Sequence, residues 1–164
     1  MYNGGIEGAQ TPDYGWLGLF AETTKGNEMN AVKTKTIRQS VTFKASPGEV
    51  YETLMDSKKH GEFTGAPAKI SREVGGKFSI YEGDIEGVNL ELIPAQKITQ
   101  SWRYSDWPAG HYSKCTFGLS PVPGGTRLTF TQTGVPEDKY EDIRQGWHDY
   151  YWEPMKELLA KHKA

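Results

Sequence analysis

The chain has 164 residues, and its 19 Lys and Arg against 21 Asp and Glu leave a formal net charge of −2. That length fits one domain, and the near-cancellation of charge speaks against nucleic acid as a main partner, because phosphate binding needs a basic stripe. The one cysteine, Cys115, excludes an intramolecular disulfide and cysteine-rich zinc sites, and it reads as a small core side chain.

Residues 1–34 differ from the rest. Gly4, Gly5, Gly8, Gly15, Gly18 and Gly26 interrupt every periodic pattern, so the segment is expected to be a flexible leader that buries too little apolar surface to offset its ordering entropy. Met29 is an alternative start, which would make residues 1–28 an artefact. The short apolar patch Trp16–Phe20 is the leader's one candidate for docking, on a partner or on the domain itself. No run of about 18 apolar residues marks a membrane span. No basic region precedes an apolar stretch in the manner of a secretory signal. The expected location is cytoplasmic.

A domain is expected over residues 35–164. Ile37, Val41 and Phe43 show the spacing of a half-buried strand. Ser46-Pro47-Gly48-Glu49 reads as a helix start: Ser46 caps, Pro47 suits the first helical position, and Glu49 completes a capping box. Val50 with Leu54, and Tyr51 with Met55, give that helix its apolar face. A helical or looped stretch runs on through Phe63, and a short strand is expected around Ile70. Gly75-Gly76 turns into a strand carrying Phe78 and Ile80. Val88, Leu90 and Leu92 alternate in the next, and Pro94 ends it. Ile98, Trp102 and Tyr104 share a face, as do Cys115, Phe117 and Leu119. Pro123-Gly124-Gly125 is a hairpin signal leading to Leu128 and Phe130. About seven strands joined by short turns imply antiparallel pairing.

A long helix is expected from about Glu137 to Lys161. Acidic residues crowd its start and Lys156 and Lys161 its end, which suits the helix dipole. Tyr140, Ile143, Trp147, Tyr151, Leu158 and Leu159 form its apolar stripe, and Pro154 should kink it. This helix is the one element long enough to cover a sheet face, so the fold class is α+β, a curved antiparallel sheet of about six to seven strands wrapped around it.

Chemical motifs are sparse. His60-Gly61-Glu62 has a His-x-Glu form, but a zinc deaminase also needs Pro-Cys-x-x-Cys, so it reads as a polar loop. The histidines show no metal-ligand spacing, and no phosphate or dinucleotide loop is present. No cofactor, metal or catalytic residue is expected. Tyr51, Phe78, Ile80, Trp102, Phe117, Phe130, Trp147 and Tyr151 form an aromatic-rich core or line a pocket between sheet and helix. Trp107 lies in a Pro/Gly loop, Ser105–His111, where it is either an exposed interface anchor or a ring folded back over the sheet edge.

Gly75-Gly76-Lys77-Phe78, Trp102-Arg103-Tyr104, Trp107-Pro108-Ala109-Gly110-His111 and Arg144-Gln145-Gly146-Trp147-His148-Asp149-Tyr150-Tyr151 together resemble the C-terminal domain of the activators of heat-shock protein 90 ATPase. The resemblance runs from about Ile37 to Leu159. It implies the helix-grip fold of the START-like (SRPBCC) superfamily and a stress-response co-chaperone without catalysis of its own. In the eukaryotic activators this domain contacts the chaperone's nucleotide-binding domains and favours their closure. By position in the matching motifs, Trp107, His111 and Arg144 would face the partner. The resemblance departs at residues 1–34, which are too short for the activators' separate N-terminal domain. An alternative expectation is a carrier or sensor of a small apolar ligand held by the eight pocket residues above. A weaker one is a cyclase or hydrolase of the START-like type.

Overall fold

The computed structural model describes residues 32–163, with side chains through Lys161. Nearly all of the expected leader, including Trp16–Phe20, therefore lies outside the described residues.

The described chain runs β1 (Thr34–Phe43), α1 (Pro47–Met55), α2 (Ser57–Thr64), β2 (Ala68–Ile70), β3 (Lys77–Ile80), β4 (Ile85–Ile93), β5 (Lys97–Tyr104), β6 (Ser113–Val122) and β7 (Gly125–Pro136). A 3-10 turn (Glu137–Lys139), α3 (Tyr140–Trp147), a π-helical turn (His148–Trp152) and α4 (Glu153–Lys163) close it. The strands form one seven-stranded sheet in the order β1-β7-β6-β5-β4-β3-β2. Every pairing is antiparallel, as the short connections require.

α1 starts where its cap residues dictate. Ser46 Oγ accepts from Glu49 N–H at 3.2 Å, and Glu49 Oε1 accepts from Ser46 N–H at 2.9 Å. Asp56 ends α1 and opens α2, accepting from Lys59 N–H at 3.0 Å. That bond holds the Asp56 carboxyl below its ordinary range. The tightest hairpin joins β6 to β7 through Pro123-Gly124, with Gly124 at φ 82° and Val122 paired to Gly125.

β4 departs from expectation. Val88, Leu90 and Leu92 do not share the core face: Ile85, Gly87 and Asn89 are the buried residues, and Leu90 is 46% exposed. A bulge between Asn89 and Glu91 then shifts the register, so that Leu92 pairs with Ile98. One inserted residue exchanges the two faces of a strand. Hydrophobicity alone misplaces this strand because its inward positions include a glycine and an asparagine. A Cβ on Gly87 would lie 1.8 Å from Ser101 O and 2.7 Å from Phe78 Cζ. Asn89 donates to Ser71 O (2.7 Å) and Glu73 O (3.0 Å) and accepts from Gln100 Nε2 (3.0 Å), anchoring the loop before β3.

The C-terminal helix departs from regularity one turn before the kink expected at Pro154. A proline clashes with the carbonyl four residues earlier and lacks the N–H that would bond it. Here that carbonyl belongs to Tyr150, inside the π turn. The wider turn adds one residue to the inward side, so Trp152 and Met155 join Trp147 and Tyr151 in the core, at 1% and 0% exposure. Trp147 and Trp152 stack at 5.5 Å, and Phe130 of β7 meets both, at 4.4 and 5.4 Å. Helix and sheet thus share one aromatic core.

Candidate functional site

All eight residues expected to line an internal pocket are buried: Tyr51, Phe78, Ile80, Trp102, Phe117, Phe130, Trp147 and Tyr151. They fill the space rather than enclose one. The residual void between sheet and helix is about 10 Å³, room for at most one water.

Polar groups cross this interior in paired form. Trp147 Nε1 donates to Gln132 Oε1 at 2.8 Å, Gln132 Nε2 donates to Ser113 Oγ at 2.9 Å, and Ser113 Oγ donates to Trp102 O at 2.8 Å. His60 is not on a polar loop, as expected, but on α2 and buried. Its ring lies 2.9 Å from both Leu54 O and Tyr151 Oη. A carbonyl only accepts, so Nδ1 carries the proton and Nε2 accepts from the Tyr151 hydroxyl. Burial holds the imidazole down to about pKa 4 and raises the Tyr151 phenol. Burial also raises the Cys115 thiol, as suits a core side chain. No local pattern marks the His60–Tyr151 pair, since 91 residues separate its members.

Of the three expected partner contacts, Trp107 is not an exposed anchor. It is 4% exposed, with its ring against Trp102 (5.4 Å) and His111 (5.9 Å). The cause is Arg103, whose guanidinium donates to the carbonyls of Trp107 (2.8 Å), Pro108 (3.2 Å) and His111 (3.3 Å) and folds the loop back. His111 is half-buried and bonded through Nε2 to Gly134 O at 2.8 Å. Arg144 lies at the surface, paired with Glu141 at 3.0 Å.

A groove of about 490 Å³ opens beside the C-terminal helix, within the usual range for ligand sites. One wall is helical: Lys139, Asp142, Ile143, Gly146, Trp147, Tyr150 and Tyr151. The other comes from the sheet: Tyr81, Asp84, Ile85, Trp102, Tyr104 and Asp106. Unusual backbone supports both walls. The π turn presents Tyr150 outward at 61% exposure. Opposite, the β3–β4 turn holds Tyr81 and Glu82 both at φ 56° and Gly83 at φ 98°. Left-handed backbone costs a side-chain-bearing residue roughly 1–2 kcal/mol. Bonds from Tyr81 N–H to Pro67 O (3.2 Å) and from Ser105 N–H to Asp84 O (2.7 Å) hold the turn. The Tyr81 hydroxyl is buried and has no hydrogen-bond partner among the described residues. Among those residues no group of three or more His, Cys, Asp or Glu could hold a metal ion. Nor is any helix among them long and apolar enough to cross a membrane.

Residues 44–160 match the family model described as "Activator of Hsp90 ATPase homolog 1-like protein". The human activator of 90 kDa heat shock protein ATPase homolog 1 is 34% identical over 129 residues, 79% of this chain and 38% of that protein. The Dictyostelium discoideum homolog is 39% identical over 116 residues, 70% of this chain and 30% of its own length. The chain thus spans about two-fifths or less of the curated relatives it matches. Among solved structures, that of an HSP90 activator from Plasmodium falciparum superposes with a TM-score of 0.72 at 25% identity, covering 76% of this chain and 96% of that one.

Proposed function

The chain belongs to the activator of Hsp90 ATPase homolog 1-like family, and from that premise we propose that it is a co-chaperone that binds a heat-shock protein 90 chaperone and raises its ATPase rate. The observation that carries this reading is the family match over residues 44–160 together with 34% identity to the human activator. The packing supports it. An interior filled to about 10 Å³ leaves no room for a substrate beside the His60–Tyr151 pair. The protein then works through its surface, without catalysis of its own.

Such a protein accelerates its partner only by binding the closed, hydrolysing state better than the open one. Arg144 is the surface contact among the motif residues, whereas Trp107 and His111 act by fixing the loop between β5 and β6. The test is affinity for the same organism's chaperone with and without a non-hydrolysable ATP analogue. Tighter binding in the presence of the analogue is expected. Equal affinity in both states would remove the thermodynamic basis for activation.

One observation favours a second reading, the carrier or sensor of a small apolar ligand. The groove of about 490 Å³ is walled largely by aromatic and aliphatic side chains, so a ligand would sit there, against Trp102, Trp147 and Tyr151 of the eight expected residues, and not in the filled interior. Saturable binding of uncharged apolar compounds that thermally stabilises the protein would mark that role.

A further inference from the structure

The groove between the β3–β4 turn and the C-terminal helix is not neutral. Asp84, Asp106 and Asp142 line it with a single cation, Lys139. That ammonium is already held by Asp106 at 3.0 Å. Asp84 makes only a long contact with Ser105 Oγ, at 3.4 Å, and Asp142 forms no salt bridge among the described residues. Excess negative charge therefore sits on an aromatic surface made by Trp102, Tyr104, Trp147 and Tyr150.

The charge and the rings are in register with each other. The Tyr104 phenol is held above its ordinary range first by burial and then by Asp84 and Asp106, with Tyr150 adding to it. Burial, Tyr150 and Tyr104 in turn raise the Tyr81 phenol. The carboxylates and the phenols thus face a common space. Ring faces and carboxylates both attract cations, and the buried Tyr81 hydroxyl, which has no hydrogen-bond partner among the described residues, can accept a further donor. A group that carries donors and positive charge but no acceptor fits this inventory. Among polypeptide side chains that stay charged at neutral pH, only lysine and arginine do so. Arginine suits it better, because its planar guanidinium stacks on rings and forks onto carboxylates.

We propose that this groove is a docking site for a partner polypeptide that inserts an arginine or lysine between apolar neighbours, the cation seated on the Tyr104–Tyr150 rings beside Asp84 and Asp142. The charge complementarity selects a basic segment over an acidic one, and the apolar walls at Ile85 and Ile143 take the flanking side chains. The inference does not depend on which protein supplies the segment, so it stands apart from the chaperone reading.

The test is a titration of the isotope-labelled protein with three probes, followed by amide chemical shifts. The probes are an acetylated, amidated tripeptide Leu-Arg-Leu, its counterpart Leu-Glu-Leu, and indole as an uncharged apolar compound. Leu-Arg-Leu is expected to give saturable shifts at Asp84, Gly146 and Tyr150, weakening as salt is added, and Leu-Glu-Leu none. The Asp84→Asn/Asp142→Asn double variant, altered at two exposed positions and checked for an unchanged spectrum elsewhere, should bind Leu-Arg-Leu about tenfold more weakly. Gly146→Leu, which places a side chain in the groove, should abolish the shifts. The proposal is overturned if Leu-Arg-Leu gives no saturable shift, if the two peptides act alike, or if the double variant binds as the wild type does. It is equally overturned if indole saturates the groove more tightly than Leu-Arg-Leu, an outcome that would support the small-ligand reading.

Discussion

The hydroxyl of Tyr151, on the C-terminal helix, donates to Nε2 of His60, on α2, across 2.9 Å of buried interior. With Nδ1 committed to Leu54 O, the neutral ring accepts at Nε2 from the Tyr151 hydroxyl. Protonation would reverse that bond, turning the Tyr151 hydroxyl from donor to acceptor, and would place a charge inside the aromatic core, which burial penalises.

Stability should therefore fall on mild acidification. The folded pKa, about 4, lies below the unfolded value of about 6.5, so between these values the unfolded chain binds more protons. The contribution of His60 is complete above about pH 6.5, declines as pH falls toward 4, and amounts to about 3 kcal/mol over the window. Urea unfolding at stepped pH should show this loss in the wild type and a flatter profile in His60→Gln. Parallel profiles in the two proteins would show that the pair does not govern the pH response.

Gly87 is held by its neighbours rather than by its own φ. A methyl group there would collide with Ser101 O and Phe78 Cζ, and the Ser101 carbonyl, part of the β5 backbone, has no room to retreat. Gly87→Ala should destabilise by about 2–4 kcal/mol, whereas Gly118→Ala on β6, with only Thr129 O at 3.8 Å, should be nearly silent. Thermal denaturation of the two variants checks the contrast.

The two tryptophans Trp107 and Trp147 are equally buried, at 4% and 3% exposure, but not equally bonded. Trp147 Nε1 serves Gln132 at 2.8 Å, and Trp107 Nε1 has no partner among the described residues. Trp107→Phe should cost less than about 1.5 kcal/mol, since only volume changes. Trp147→Phe should cost about 1–3 kcal/mol more, because Gln132 Oε1 loses its donor in the core. Trp107→Ala should lose about 3–5 kcal/mol of stability. Denaturant unfolding ranks the three. A stable Trp107→Ala protein would contradict the burial of that ring.

What the sequence made legible is what local rules govern. The Ser46 capping box, the turn at Pro123-Gly124 and the seven antiparallel strands follow from short-range spacing, and each is present. The matching motifs pointed to the family. Less legible was anything set by tertiary contact. The inward face of β4 was hidden because Gly87 and Asn89 occupy it in place of apolar side chains. The π turn adds a residue that a period of 3.6 cannot anticipate, so Trp152 and Met155 escaped the apolar stripe. The direction of Trp107 was open until Arg103 was seen to bond three carbonyls of its loop. The groove was not legible at all, since its walls come from the β3–β4 turn, the end of β5 and α3.

Whether the protein activates the chaperone is read from the steady-state ATPase rate of the same organism's heat-shock protein 90 titrated with it. A saturable rise in rate is expected, and Arg144→Glu should weaken it without loss of fold, since the Arg144 side chain lies at the surface against Glu141. An unchanged rate at saturating protein would contradict it, and the family match would then carry the fold alone.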